Sequence, residues 1–303
     1  MRAQGDTFAI LGCGKVGTAI GFLLRARGYS VVAVASRSEE SLMRGVEYTG
    51  AHPYHTFPEA ARQARYVVIS TSDDAIATVC DAIAETGAIG AGSTVIHLSG
   101  ASGLDLLASA RRSGASVASI HPIQSFSDIQ SAIATLPGST FGITADKKIE
   151  HWAFDLVQNL GGVPFSVSEN DKPLYHAAAC MASNYLVTLM NTVVDVYRTV
   201  GLTDEDATQA FWPLVKGTML NIEGQGTVQS LTGPISRGDV ETIKKHLAAF
   251  TSRLPHLLPL YREMGFLAVE VGLQKSTLPR ERAEQIKSLL SGGIHDEQSG
   301  QNE

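Results

Sequence analysis

Cysteine is scarce in this chain. Cys13, Cys80 and Cys180 are the only three in 303 residues, odd in number and far apart. That excludes a disulfide framework and the close-spaced pairs of a zinc site, so the three read as reduced thiols and no metal is expected. Long apolar runs are missing as well. No segment approaches the ~18 uninterrupted apolar residues of a membrane helix. Met1-Arg2-Ala3-Gln4-Gly5-Asp6 leads into a strand-like run without an apolar leader region, so the expectation is a cytoplasmic protein with no membrane partner. Basic clusters are lacking too. Lys and Arg number 24 against 30 Asp and Glu, a net charge of −6, and no basic stripe is present to meet a polyanion, so nucleic acid is not an expected partner.

What remains is globular. The chain is 44% hydrophobic and 18% charged, with no long low-complexity tract, and its length suits two cores better than one. From Thr7 to about Val167, short β-branched runs alternate with helical periodicity, as in βαβ units feeding a mostly parallel sheet. Expected strands are Phe8–Leu11, Val31–Ala35, Tyr66–Ser70, Thr94–Leu98, Val117–Ile120, Thr140–Thr144 and Pro164–Val167. Beyond Ser168 the pattern is helical, over 173–200, 204–223, 239–252, 256–274 and 279–290, with Asp239 placed to cap one helix start and Pro279 to open another. The fold class expected is α/β: a doubly wound Rossmann domain over 1–168, an all-α domain over 169–291 and a disordered tail over 292–303.

The strongest motif is Gly12-Cys13-Gly14-Lys15-Val16-Gly17, directly after the first strand and opening a helix. Gly12 permits the tight turn, Gly14 lets a pyrophosphate reach the backbone, and Gly17 lets helix pack closely on strand. The helix start offers unpaired N–H groups and a partial positive charge to phosphate. Strand, loop, helix and second strand follow in the correct order, so the expectation is dinucleotide binding, with a glycine-rich structural turn as the alternative.

The second strand ends in Ser36-Arg37-Ser38 where NAD sites place an acid for the ribose 2′-OH. A guanidinium with flanking hydroxyls suits a 2′-phosphate, so the expected cofactor is NADP. The alternative is a solvated Arg37, with Glu39 or Glu40 reaching the ribose. Ser70-Thr71-Ser72-Asp73 and Ser99-Gly100 also fall at strand ends, on the carboxyl edge where cofactor and substrate lie in this fold. His97 and His121 end strands as well, each open to a structural reading in which it bonds a loop carbonyl.

In the helical half, His176, Cys180 and Asn184 recur at i, i+4 and i+8, with Ser183 beside them, as polar interruptions of an apolar helix. Such groups must be hydrogen-bonded, to protein or to ligand. Arg237 stands beside a Gly-Pro turn, where it could hold a carboxylate bidentately or simply brace the turn.

The chain resembles a bacterial family described as Rossmann-like with a C-terminal domain of unknown function, in the 6-phosphogluconate dehydrogenase-like group. The resemblance rests on the glycine loop, on His121-Pro122-Ile123-Gln124-Ser125-Phe126, on Tyr175-His176-Ala177-Ala178-Ala179 with Ser183-Asn184-Tyr185, and on Leu231-Thr232-Gly233-Pro234-Ile235 with Arg237-Gly238-Asp239. It implies an NADP-dependent oxidoreductase, often a homodimer through its helical domain, with ketopantoate, pyrroline-5-carboxylate and deazaflavin-linked NADP reductases and prephenate dehydrogenases as relatives. Ketopantoate reductases carry a lysine followed one turn later by asparagine; here Lys172 is followed at that spacing by His176, with Asn184 further on.

The reaction expected is hydride transfer to the carbonyl or imine carbon of a small carboxylated substrate. His176, then His121, then Lys172 are the candidate proton donors, Asn184 holds the substrate oxygen, and Ser99, Gly100, Ser183 and Arg237 make further substrate contacts. A non-catalytic NADP sensor is the competing expectation, since it needs the same glycine loop. Fluorescence titration tests the cofactor reading: NADPH should bind about tenfold or more tightly than NADH, the ratio one charge-assisted contact supplies. Tighter NADH binding would reverse it.

Overall fold

The computed structural model describes residues 6–292, so most of the tail expected over 292–303 lies outside the described residues. The strands are β1 (Thr7–Leu11), β2 (Ser30–Ala35), β3 (His52–Tyr54), β4 (Tyr66–Ile69), β5 (Thr94–His97), β6 (Ser116–Ile123), β7 (Thr140–Ala145) and β8 (Val163–Ser166). They form one sheet in the order β3-β2-β1-β4-β5-β6-β7-β8. Every pairing is parallel except that of β6 with β7. The order reverses between β1 and β4, so the loops after these two strands diverge and leave a crevice at the carboxyl edge.

Strand residues alternate between two buried clusters, one on each face of the sheet. Phe8, Ile10, Val34, Val68, Ile96 and Phe141 pack on one side, and Ala9, Leu11, Ala33, Val67, Ile69 and Val95 on the other. Burial on both faces explains why these strands read as continuous apolar runs. Helices α1 (Lys15–Ala26), α2 (Glu39–Thr49), α3 (Phe57–Ala61), α4 (Asp73–Glu85), α5 (Ala108–Arg112), α6 (Ile129–Thr135) and α7 (Glu150–Asn159) are interleaved with the strands. The sequence reading lacked β3, whose three residues include Pro53 and which sits at the sheet edge, where proline removes no ladder bond.

After β8 the chain enters α8 (Lys172–Cys180), a π-helical turn (Met181–Tyr185) and α9 (Leu186–Thr199). The chain folds as two compact units whose boundary falls at Leu186–Val187, while its secondary structure changes near 168. The change of secondary structure marks 168; Lys172 and Tyr175, bonded to strands of the sheet unit, carry the compact unit further. The same stretch, Glu169–Thr199, has a mean hydropathy of 1.3 over an 18-residue window, long and apolar enough by composition to cross a membrane. Ser183, Asn184 and Thr188 interrupt its apolar run, which is why counting uninterrupted residues passed over it.

The second unit contains α10 (Asp204–Ser230), α11 (Pro234–Arg237), α12 (Val240–Arg253), α13 (Leu258–Gln274) and α14 (Arg280–Leu290). Its core gathers Ile243, Val269, Leu278, Ala283, Ile286 and Leu290. Asp239 caps α12 as expected, its carboxylate accepting from Thr242 N at 3.1 Å. α10 outruns the expected 204–223, bending where Gly226 takes φ +81°.

Candidate functional site

The glycine loop takes the geometry its sequence implies. Gly12 has φ +107°, and a Cβ there would lie 2.8 Å from the Ser70 carbonyl, so only glycine fits the turn. A Cβ on Gly17 would drive into Ser70 Oγ and the Gly12 carbonyl, so α1 can lie against β4 only with glycine there. A Cβ on Gly14, by contrast, would meet nothing within 4 Å. The backbone at Gly14 is therefore open. α1 begins there without a side-chain cap and without an acid in its first turn, leaving its N–H groups to a ligand.

These groups line a crevice of about 390 Å³ bounded by Gly14, Lys15, Val16, Ser70, Thr71, Ser72, Asp73, Leu98, His121, Pro122, Gln124 and Phe126. A larger hollow of about 820 Å³ lies in the second unit. It is broad and shallow, and of its charged residues Lys244 and Glu241 already pair at 2.7 Å. The first, which carries the open glycine loop, is the candidate site.

Several expected contacts find other employment. The Cys13 side chain turns into the core, its thiol reaching toward the Ala35 carbonyl at 3.7 Å and pushed up to about 11 by burial. Ser70 Oγ donates to the Gly12 carbonyl at 2.6 Å and so holds the loop. Thr71 Oγ1 donates to Ser72 O at 3.3 Å. Ser38 caps α2, accepting from Ser41 N at 3.3 Å. Ser36, Arg37 and Ser38 end the second strand as expected but do not line the crevice; the Asp74 pKa is lowered chiefly by its hydrogen bond with Ser72, with the nearby Arg37 adding to the effect.

Behind the crevice lies a buried polar network. Ser99 is 3% exposed; its hydroxyl donates to Asp73 Oδ2 at 2.7 Å and accepts from Ser102 N at 3.2 Å. Ser99 is thus a positioner of Asp73, and its side chain is not offered to substrate. Lys172 is 1% exposed, with Nζ donating to Ser119 Oγ at 2.7 Å and to the Ser99 carbonyl at 3.2 Å. Burial outweighs the nearby Asp73 and Glu169 and brings its ammonium down to about 8. The lysine begins α8 itself, with Pro173 in the first turn.

Both strand-end histidines are held neutral. His97 is fully buried, with Nδ1 accepting from Ser99 N at 3.1 Å and Nε2 left to donate to Gly103 O at 3.0 Å, the structural reading of the sequence. His121 lies inside β6, which runs on to Ile123, because β7 pairs with it through Ile123–Thr140. Its Nδ1 meets Tyr175 Oη at 2.7 Å. Burial, reinforced by Lys172, depresses both imidazoles to about 4.

His176 is half-buried, its ring 5.7 Å from that of His121 and its Nδ1 3.7 Å from Cys180 Sγ. It does not line the crevice. Gly100 makes this pairing possible: a Cβ there would meet His176 Cδ2 at 2.5 Å and His121 Cε1 at 2.6 Å. The His176–Cys180 step holds, whereas the π-helical turn over Met181–Tyr185 breaks the i+8 stripe, leaving Ser183 half-buried and Asn184 exposed. Arg237 is exposed at the end of α11 in the second unit. Tyr175 was given no catalytic or binding role in the sequence reading; its place in the Tyr175-His176-Ala177-Ala178-Ala179 motif was its signal.

Residues 2–122 match the model of a Rossmann-like domain, and 139–267 that of a domain of unknown function, DUF2520. No curated protein matches the chain by sequence. Among solved structures, protein TM1727 from Thermotoga maritima is 24% identical with a TM-score of 0.71, covering 89% of this chain and 99% of that one. A Bacteroides fragilis protein, BF3122, provisionally described as an NADP oxidoreductase, is 19% identical with a TM-score of 0.70, covering 88% and 98%. A Plasmodium falciparum pyrroline carboxylate reductase with NADP bound is 13% identical with a TM-score of 0.58, covering 95% and 99%. These likenesses establish the fold: an eight-stranded, mostly parallel sheet with helices, followed by a helical region.

The neutral histidines give stability a definite pH dependence. Their folded values lie below the unfolded 6.5, so between pH 6.5 and 4 the unfolded chain binds more protons. Stability is therefore full above about pH 6.5 and falls as pH drops toward 4, each histidine contributing a loss on the order of 3 kcal/mol. Lys172 titrates above this window and adds nothing to it. Thermal melts should show Tm falling from pH 7 to 5, and His97→Gln, which keeps a donor and an acceptor without the ionisation, should flatten the slope. An unchanged slope in that variant would contradict the assignment.

Proposed function

We propose that this chain is an NADP-dependent oxidoreductase that transfers a hydride to the carbonyl or imine carbon of a small carboxylated metabolite, with ketopantoate reductase-like substrates among the candidates. The observation that carries the reading is one crevice lined both by the open backbone of Gly14-Lys15-Val16 and by His121. The space above Gly14 and the uncapped start of α1 fit a pyrophosphate, with Arg37 and Ser38 at the second strand end for a 2′-phosphate. The NADP-bound state of the Plasmodium reductase supports the same cofactor. When bound, the nicotinamide supplies the hydride.

The protein's own residues orient the acceptor and exclude water. His121 replaces His176 as the first candidate to contact the reacting oxygen or nitrogen, because it lines the crevice. Asp73, held by Ser99, and the buried Lys172 set the local field. Gln124 and Phe126 bound the same space. NADPH oxidation screened against 2-oxo acids and cyclic imines should find a turned-over substrate, and His121→Gln should lower kcat by roughly 10²-fold or more with NADPH affinity retained. NADPH binding without turnover of any member would favour the sensor reading.

A cytoplasmic homodimer completes the proposal. In the second unit Val187 (69% exposed), Trp212 (57%), Leu214 (70%) and Leu220 (57%) display large apolar side chains, more than isolated surface residues require. A second copy covering them accounts for this exposure. Sedimentation of detergent-free protein should give the dimer mass, and Leu214→Glu should shift it toward monomer; recovery only from membranes would contradict both location and assembly.

A further inference from the structure

The Tyr175–His121 contact reaches further than positioning the ring. The Tyr175 hydroxyl rests where β7 carries Gly142, and a Cβ at that glycine would overlap the phenol oxygen. A phenol O–H is a stronger acid than a neutral imidazole N–H, and an imidazole nitrogen is a stronger base than a phenol oxygen, so a proton shared by the two rests on the phenol and points at the ring. Among the described residues the hydroxyl's hydrogen-bond partner is His121 Nδ1, at 2.7 Å. The O–H therefore donates to Nδ1, and a neutral imidazole whose Nδ1 accepts must carry its proton on Nε2.

The rest of the surroundings agree. Burial raises the phenol to about 12 and holds the imidazole near 4, so at neutral pH neither is charged. The charged groups that act on His121 are Lys172 and Asp73, with His176 and His97 as neighbouring imidazoles. Lys172 and Asp73 oppose one another, and Asp73 already accepts from Ser99. Nε2 itself meets no hydrogen-bond partner among the described residues, although its ring edge lies over Gly100 and its residue lines the crevice. An unpaired N–H in such a place asks for an acceptor.

We infer that Tyr175 locks His121 as the neutral Nε2–H tautomer, so that the crevice presents a hydrogen-bond donor and takes a substrate with a bare acceptor oxygen, a ketone or aldehyde carbonyl, in preference to a protonated imine. A carbonyl gains electron density on oxygen as the NADPH hydride arrives at carbon, and a fixed N–H aimed there strengthens as that charge grows, the alkoxide taking its proton from solvent as the alcohol leaves. A protonated imine carries an N–H of its own, and two donors would face each other without a shared lone pair. Tyr175 is thus a positioning residue that acts through His121. The inference rests on the oxidoreductase reading for its substrate class, while the tautomer stands independently of it.

Two measurements separate these layers. Long-range ¹⁵N–¹H correlation of the cofactor-free full chain at pH 7, with His121 assigned by its loss in His121→Gln, should show the Nε2–H pattern. Tyr175→Phe should convert it to a mixture of tautomers. An Nδ1–H or doubly protonated His121 in the wild type, or a pattern unmoved by Tyr175→Phe, would overturn the inference whatever the enzyme does. In NADPH assays, matched 2-oxo acids should be turned over at least about tenfold faster than cyclic imines below the imine pKa, and Tyr175→Phe should lower kcat on the oxo acid by roughly 10- to 100-fold, as loss of a supporting hydrogen bond does. Faster reduction of the imines would overturn the substrate class and leave the oxidoreductase reading intact. Failure of NADPH to bind would instead overturn that reading and, with it, the substrate class.

Discussion

The ammonium of Lys172, buried against the carboxyl end of β5 and the middle of β6, is the interaction on which the arrangement of this site depends. Its bonds to the Ser99 carbonyl and Ser119 Oγ pin the first turn of α8 to the sheet. Tyr175 and His176, three and four residues later, then stand one helical turn along the same face, at the level of His121. An unpaired charge at that depth would cost several kcal/mol; the two acceptors and the nearby Asp73 offset it. Removing the lysine's charge would leave Ser119 and the Ser99 carbonyl without their buried partner, and would release the helix that brings the aromatic hydroxyl to the imidazole.

Around that anchor the protein keeps its crevice electrically quiet. Two imidazoles are neutral because burial disfavours their charged forms, and the pattern of donors around each fixes which nitrogen holds the proton. Glycine does the spatial counterpart of this work. Gly100 lets two histidine rings approach, Gly142 admits the phenol, Gly12 turns the loop, and Gly14 leaves bare backbone toward the crevice. A methyl group at any of the first three would displace a ring or a carbonyl. At Gly14 it would meet no protein atom at all, only the space where a phosphate fits in the proposed reading.

The doubly wound sheet was legible in the chain because its strands are buried on both faces, so β-branched runs stand out between helical segments, and because the glycine loop occurs in the one context that gives it meaning. The short edge strand His52–Tyr54 was not: three residues with a proline carry no periodicity. The site was only half legible. His121 and Lys172 could be named as polar groups at a strand end and a helix start, but their ranking behind His176 reflected helical spacing. Spacing cannot report that a π-helical turn breaks the stripe, nor that one imidazole lines the crevice while its neighbour does not.

Sequence alone settled the features that depend on local order: the strand-loop-helix with its three glycines, the helical second half, and the capped start of α12 at Asp239. Each is a contest between residues close in the chain, which composition and spacing record directly. Tertiary structure decided the rest. That Ser70 spends its hydroxyl on the Gly12 carbonyl, where a lysine charge is buried, and on which nitrogen His121 carries its proton all depend on atoms that meet across about 50 to 75 residues of chain, as Tyr175 meets His121 and Lys172 meets Ser99. No local pattern encodes such meetings, because the chain enforces them only once the sheet has closed.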